Sequence, residues 1–543
     1  MRVFAELIDR LVLTPSRNGK LTLLRDYFSS SPDPDRGYAL AALTGTLDVP
    51  ALKPAMIKTL AMERLDPVLF GYSYDYVGDL AETVSLVWPE PARREANTTD
   101  LPLSTVVETL LATSRVSAPE KFVAFMDRLE TSGRYALIKL MTGGLRIGVS
   151  SRLTKQALAD MGGVDVTEIE ELWHGLKPPY ADLFAWLEGR DAKPEQAALA
   201  LYRPVMLAHA LEDQDIEKIS PEDYRAEWKW DGIRVQVSSE GGKQKLYARS
   251  GDEISGAFPD LLDAINFEAV LDGELLVGVP GQHVGTFSDL QQRLNRKSVP
   301  DKMLKTYPVF VRTYDILMRD GRNLRDLPLD TRRVELEDFV QHLDPQRFDL
   351  SPRLDYQDFK ELDAMRRNPP HPVIEGVMLK HRESTYVPGR PKGPWFKWKR
   401  DPHTVDAVLM YAQRGHGKRS SLYSDYTFGV WDEVDGAAQL VPVGKAYFGF
   451  TDEELRQIDK YVRDNTVDRF GPVRAVRANR EAGLVLEIAF EGLNRSTRHK
   501  SGVAMRFPRI SRLRWDKPAS EADTLETLRK MLELDGKTEV VTA

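Results

Sequence analysis

The chain has 543 residues, more than one hydrophobic core can serve, so roughly three or four domains are expected. It contains no cysteine, which excludes disulfides and every cysteine-ligated zinc or iron–sulfur site, and agrees with a reducing compartment. The formal net charge of -7 argues against a uniformly basic nucleic-acid binder, yet the cations are clustered: Arg390, Lys392, Lys397, Lys399 and Arg400 occur without an acid, and residues 491–517 hold eight Lys or Arg against Glu491 and Asp516.

From Val3 to about Trp186 the pattern is helical. Phe4, Leu7, Ile8 and Leu11 recur at helical spacing, as do Leu21, Leu24, Tyr27 and Phe28, with Asn18-Gly19 and the Ser/Pro/Asp run 29–34 as punctuation. Ser117 to Leu140 has the composition of one long helix that runs into Thr142-Gly143-Gly144-Leu145-Arg146-Ile147-Gly148. The charged N-terminus does not match a signal peptide, and no long uncharged apolar stretch occurs; a soluble, cytoplasmic protein without membrane association is expected.

Beyond Lys193-Pro194, short β-type runs take over at Val235–Val237, Leu246–Ala248, Ala269–Leu271, Pro308–Val311 and Val373–Leu379. The pairs Asp231-Gly232, Gly241-Gly242 and Asp320-Gly321 predict hairpins, and so an antiparallel α+β domain rather than a doubly wound parallel sheet. Past Asp401-Pro402, strands near 407–411, 424–431, 440–447 and 484–490 fit a small oligonucleotide-binding type (OB-fold) barrel, and Glu521 to Leu534 reads as one amphipathic helix with Leu525, Leu528 and Leu532 as its stripe. The predicted division is a helical domain over 1–200, an α+β domain over 201–400 and a β-barrel with a C-terminal helix over 401–543.

Lys229 stands between Trp228 and Trp230, directly before Asp231-Gly232. A lysine amine becomes a nucleophile near neutral pH only when desolvation or nearby cations lower its pKa from about 10.4, and the flanking aromatics and Arg234 are expected to do both. The neighbouring cations suit a phosphoryl substrate. No GxxxxGK[ST] loop is present, since Gly415-His416-Gly417-Lys418 continues with Arg419, so side chains must hold the phosphates. Alone, a lysine in a turn is ordinarily a solvated surface group.

In order downstream come Tyr247-Ala248-Arg249-Ser250-Gly251, Leu271-Asp272-Gly273-Glu274, Tyr314-Asp315-Ile316-Leu317, Ile374-Glu375-Gly376-Val377-Met378-Leu379-Lys380, Trp395-Phe396-Lys397-Trp398-Lys399 and Arg506-Phe507-Pro508-Arg509-Ile510. With Lys229-Trp230-Asp231-Gly232-Ile233-Arg234, this series resembles the ordered motif set of the covalent nucleotidyltransferases, specifically the ATP-dependent DNA ligases. The resemblance implies that Lys229 is the catalytic lysine, loaded with AMP from ATP, that the AMP passes to the 5′-phosphate of a nick, and that the 3′-hydroxyl then displaces it. It implies that Glu227 accepts from the adenine amino group, Tyr314 stacks on the base, Arg249 and Glu274 contact the ribose, and Arg234, Glu375, Lys397 and Lys399 complete the ATP site. Prolines at 391 and 394 leave Arg390 or Lys392 as the remaining cation, with Arg390 favoured. Glu274 and Glu375 would hold Mg2+, a hard cation suited to carboxylate, water and phosphate.

RNA ligases and RNA-capping nucleotidyltransferases share the lysine chemistry, and an inert DNA-clamping scaffold would share the fold. The flanks favour a DNA ligase. Gly144 and Arg146 resemble a DNA-contacting loop of the N-terminal domain of cellular ligases, and Arg506 and Arg509 resemble the ligase barrel signature. The absence of cysteine excludes the zinc site of the NAD-dependent enzymes. The expected partner is nicked double-stranded DNA, bound by a monomer.

Overall fold

The computed structural model describes the chain apart from residues 51, 78, 90–100, 143–144, 195–199, 295, 297, 415–422, 435–436, 448, 471–472, 497–498 and 537–543. Two compact units are distinguished: Met1–Val166, Lys177–Lys193 and Pro402–Asp535 form one, and Thr167–Leu176 with Pro194–Asp401 form the other. Among the described residues no helix is long and apolar enough to cross a membrane.

The N-terminal region is helical, from Arg2–Leu13 to Ala181–Leu187. Phe4, Leu7, Ile8 and Leu11 are all buried on one stripe of the first helix. The second helix, Arg17–Ser30, is capped by the Ser16 hydroxyl, so Asn18 and Gly19 form its first turn instead of interrupting it. The predicted long helix 117–140 is two, Ala118–Arg128 and Thr131–Met141. Leu129 adopts an extended conformation between them, and buried Arg134 donates to the Met126 carbonyl that the break leaves without a helical partner.

Among the described residues the second unit holds two sheets. The first runs β1(His209–Ala210)-β12(Trp395–Lys399)-β11(Ile374–His381)-β2(Tyr224–Trp230)-β10(Arg353–Leu354). The second runs β4(Lys243–Ala248)-β3(Ile233–Glu240)-β5(Ala269–Val279)-β7(Val309–Arg319)-β8(Arg322–Asn323), with β6(His283–Val284) on β5 and β9(Phe348–Leu350) on β7. All pairings are antiparallel except β1 with β12 and β7 with β9.

Gly241-Gly242 and Asp320-Gly321 turn hairpins as expected. Asp231-Gly232 does not: β2 belongs to the first sheet and β3 to the second, so this dipeptide carries the chain from sheet to sheet. Glycine is required there for space, since a Cβ at Gly232 would lie 2.4 Å from the Leu275 carbonyl oxygen.

Strand alternation sorts the second unit into core and chemistry. In the first sheet Ala226, Val377, Leu379 and Phe396 face one way and pack with Leu211 and Leu362, joined by the partly buried Trp228 and Trp398. In the second sheet Val235, Val237, Leu271, Leu275, Val309 and Val311 fill a separate core. The opposite faces meet through Met206, Val270, Leu317, Tyr386 and Trp395 and carry the polar residues discussed below.

The C-terminal region is sheet-rich. Its order is β15(Ala437–Ala446)-β14(Tyr423–Val434)-β13(His403–Arg414)-β17(Val473–Val476)-β16(Thr466–Phe470), and β18(Val485–Phe490) bridges β13 to β21(Arg509–Arg514), while β19(Gly492–Arg495) pairs β20(Val503–Arg506). The predicted tail helix starts four residues later than expected, at Leu525 after the Thr524 hydroxyl cap, and buries Leu525 and Leu528.

Candidate active site

Strand register places Lys229 opposite Gly376, and Gly376 opposite Lys399; two pairs further along, Glu227 lies opposite Met378 and Met378 opposite Lys397. Lys229, Glu227, Lys397 and Lys399 therefore share the face of the first sheet turned away from its core. Trp228 and Trp230 occupy the opposite parity, so they do not flank the amine as expected. Trp228 packs in the back core, and Trp230 stacks under Arg312 at 4.1 Å.

Glu375 would also point backward in a regular strand. A bulge between Ile374 and Gly376 makes it the extra residue opposite β2 and turns its carboxylate to the lysine face. There it lies 2.9 Å from Lys229 Nζ and 3.4 Å from Lys399 Nζ. Gly376 completes the bulge at φ +151°, where a Cβ would sit 2.2 Å from the Trp398 carbonyl oxygen.

The electrostatics differ from the expected lowering at Lys229. Burial acts in that direction, but Glu375 and then Glu274 outweigh it, and the lysine pKa is raised. Arg234 is not among the leading influences on the lysine and is engaged elsewhere: its guanidinium bonds both Asp272 oxygens at 3.0 and 2.6 Å, the Met206 carbonyl at 2.7 Å and the Tyr386 hydroxyl at 3.1 Å. Burial pushes Glu274 up to about 8, with Lys229 opposing and Glu375 adding to the rise. Burial acts to raise Glu375 as well, but Lys229 overcomes it and the carboxyl falls below its ordinary range. Lys397 is lowered by burial and by the surrounding cations Arg390, Lys399, Lys229 and Arg249. Five cations thus converge on one patch, a poor arrangement for an empty protein surface and a good one for a polyphosphate.

Tyr314, on β7, lies with its ring 4.3 Å from Lys380 Nζ and 5.9 Å from the Arg234 guanidinium. Arg249 follows β4 at the exposed rim, its carbonyl held by the Tyr202 hydroxyl at 2.9 Å. Arg390 is exposed, its carbonyl 3.3 Å from His209 Nε2.

Two family models match: the ATP dependent DNA ligase domain over residues 205–399 and the ATP dependent DNA ligase C terminal region over 419–517. A probable DNA ligase of Koribacter versatilis is 31% identical over 97% of this chain and 95% of its own length. The chain belongs to the ATP-dependent DNA ligases. DNA ligase 1 of Korarchaeum cryptofilum is 29% identical, with 98% of each chain covered. Among solved structures, one titled Pmar-Lig_PreS3 is similar in fold with a TM-score of 0.60 at 16% identity, covering 94% of this chain and 99% of that one.

The ligase is accordingly an enzyme that consumes ATP and forms phosphodiester bonds in DNA, sealing nicks by the lysine–AMP route general to its family. Its expected DNA-contacting residues are placed unevenly. Gly144 lies outside the described residues, as do Gly415 to Lys418. Arg146 is exposed in a left-handed conformation at φ 49°, and the following loop is tied by Lys20 Nζ to the carbonyls of Ile147 and Gly148 at 3.1 and 2.8 Å. Arg506 stacks on Phe507 at 5.8 Å, and Arg509 pairs with Glu491 at 2.9 Å.

Sequence reasoning passed over Asp272, Tyr386 and Lys380. Asp272 and Lys380 stand inside recognised motifs, but only their side-chain hydrogen bonds show that they hold Arg234 and Glu227. Tyr386 carried no signal at all.

Proposed function

We propose that Lys229 is the residue adenylylated in this ligase, and the observation that carries the proposal is the convergence of Lys229, Lys397, Lys399, Arg249 and Arg390 beside the carboxylates of Glu274 and Glu375. Lys229, held as an ammonium by Glu375 and Glu274, first loses a proton to solvent; the freed Nζ lone pair attacks the α-phosphorus of ATP, the bond to pyrophosphate breaks, and a second proton leaves Nζ for solvent as the P–N bond forms. Lys397, Lys399 and Arg390 neutralise the phosphates through attack and departure. Glu227 accepts from the adenine amino group, Tyr314 stacks on the base, Arg249 and Glu274 address the ribose, and Arg234 fixes the pocket wall through Asp272.

Glu274 and Glu375 suit Mg2+. Burial, with Glu375 adding to the rise, lifts Glu274 to about 8, so a divalent cation would relieve an unfavourable buried charge there, and two carboxylates plus water and phosphate are what this ion takes. When bound, the ion would offset both carboxylate charges and polarise the phosphate.

Nicked duplex DNA is the proposed substrate, with Gly144, Arg146, Arg506 and Arg509 on its phosphates. The proposed division is a helical DNA-binding domain over 1–200, an adenylation domain over 201–400 and an OB-fold over 401–543, acting as a cytoplasmic monomer. The test is intact mass after incubation with ATP and magnesium. One AMP adduct should appear, should be lost in Lys229→Ala, and should be discharged by nicked duplex DNA with sealing. An adduct that persists in Lys229→Ala, or that only nicked RNA discharges, overturns the proposal.

A further inference from the structure

We infer that Lys380 is a positioning residue that sets nucleobase selectivity by holding Glu227, an inference resting on the reading of Glu227 as the adenine contact. Lys380 sits on β11 directly opposite Arg225 and Trp395, on the same face as Glu227. Its Nζ lies 3.3 Å from both Glu227 oxygens, and the two side chains are 2% and 5% exposed. The same ammonium lies 4.3 Å from the Tyr314 ring centre and 4.9 Å from that of Trp395. A buried cation enclosed by two aromatic rings and a carboxylate has exchanged its water for fixed partners, so its position is fixed too.

Among the described residues one other cation approaches Glu227, and it lies beyond hydrogen-bond distance. Arg333 Nη1 is 3.7 Å from the nearer oxygen, while its Nε is bonded to Glu337 at 2.7 Å and its Nη2 to the Ser351 carbonyl at 2.6 Å. Among the described residues Lys380 alone is within hydrogen-bond distance of both oxygens. With the ammonium on one side, the carboxylate has acceptor capacity left only for a donor on the other. Adenine presents its 6-amino donor there, whereas guanine presents a carbonyl oxygen, which the carboxylate repels. Without Lys380, the buried carboxylate loses the cation that holds both its oxygens and is drawn toward Arg333, which turns it from the base and removes the discrimination.

The experiment measures rates of AMP and GMP adduct formation against ATP and GTP concentration for the full chain, by intact mass. Glu227→Ala establishes whether that carboxylate selects the base: if its ATP-to-GTP ratio equals that of the parent, the underlying reading of Glu227 fails. Given a lowered ratio in Glu227→Ala, Lys380→Met is expected to lower it at least ~10-fold, chiefly through KM for ATP, and Lys380→Arg to restore part of it. In a Glu227→Gln background, which no longer needs a countercharge, Lys380→Met is expected to have no further effect on the ratio. This double variant also stays informative where Lys380→Met alone does not fold, because it leaves no unpaired charge. A parental ratio in Lys380→Met, or an equal loss in both backgrounds, overturns the inference.

Discussion

At Arg234 and Asp272 a single ion pair determines whether the pocket wall stands. Asp272 is fully buried and accepts from Arg234 and, at 2.6 Å, from the Tyr386 hydroxyl. Removing one partner of such a pair leaves the other charge unpaired, at a cost of about 3–5 kcal/mol. Asp272→Ala is therefore expected to lower the denaturation midpoint sharply and to abolish the AMP adduct, while exposed Arg249→Ala leaves the midpoint unchanged and weakens only ATP binding. Urea titration with adduct kinetics separates the two. At this scale the sequence was legible for the residues proposed to touch substrate and silent for those that hold them. Lys229, Glu274 and Lys397 stand at fixed motif positions, whereas the tie between Asp272 and Tyr386 spans 114 residues and leaves no local pattern.

At the scale of elements, period-two alternation in β2, β11 and β12 was readable, but pairing was not. Asp231-Gly232 has hairpin composition, and only the close approach of β5 shows why glycine is needed there. The bulge that swings Glu375 forward was equally hidden, because it is a mismatch between two strands about 145 residues apart, not a property of either. Gly376→Ala should test it. The strained φ and the clash with the Trp398 backbone are expected to cost roughly 2 kcal/mol or more and to suppress the AMP adduct. A variant with normal adduct yield and midpoint would refute that role.

In the helical region, buried Arg36 bonds Asp33 at 2.8 Å and the Phe28 carbonyl at 3.1 Å, and also Glu188 beyond the last helix. The hydrogen bond from Arg36 holds Glu188 down to about 2 despite partial burial. A depressed carboxyl stabilises the fold above its unfolded pKa of about 4.3 and loses that contribution as pH falls toward the folded value. Glu188→Gln should therefore be less stable than the parent at pH 6 and converge with it near pH 2; an equal gap at both, followed by circular dichroism, would contradict the assignment.

Across the whole molecule, composition gave three textures in order, helical, mixed and sheet-rich, and the structure has that order. The net charge of -7 obscured a DNA enzyme because local concentrations of cations at 390–400 and 491–517 sit in an acidic background. That concentration predicts a divided salt response. Between about 50 and 200 mM salt, nick sealing should fall by at least ~10²-fold as counterion release is lost, while AMP loading changes little. Arg146→Ala should reduce the logarithmic salt slope of DNA binding by about 1 without altering loading; an unchanged slope would remove Arg146 from the interface. The alternation in β2 also carries a consequence for how this gene tolerates change. Point substitutions on either side of the strand damage either packing or chemistry, but losing a single codon between Tyr224 and Lys229 would transpose the two sides at once, sending the lysine into the oil and Trp228 into the nucleotide's place. Short deletions there should be more damaging than any one replacement they contain.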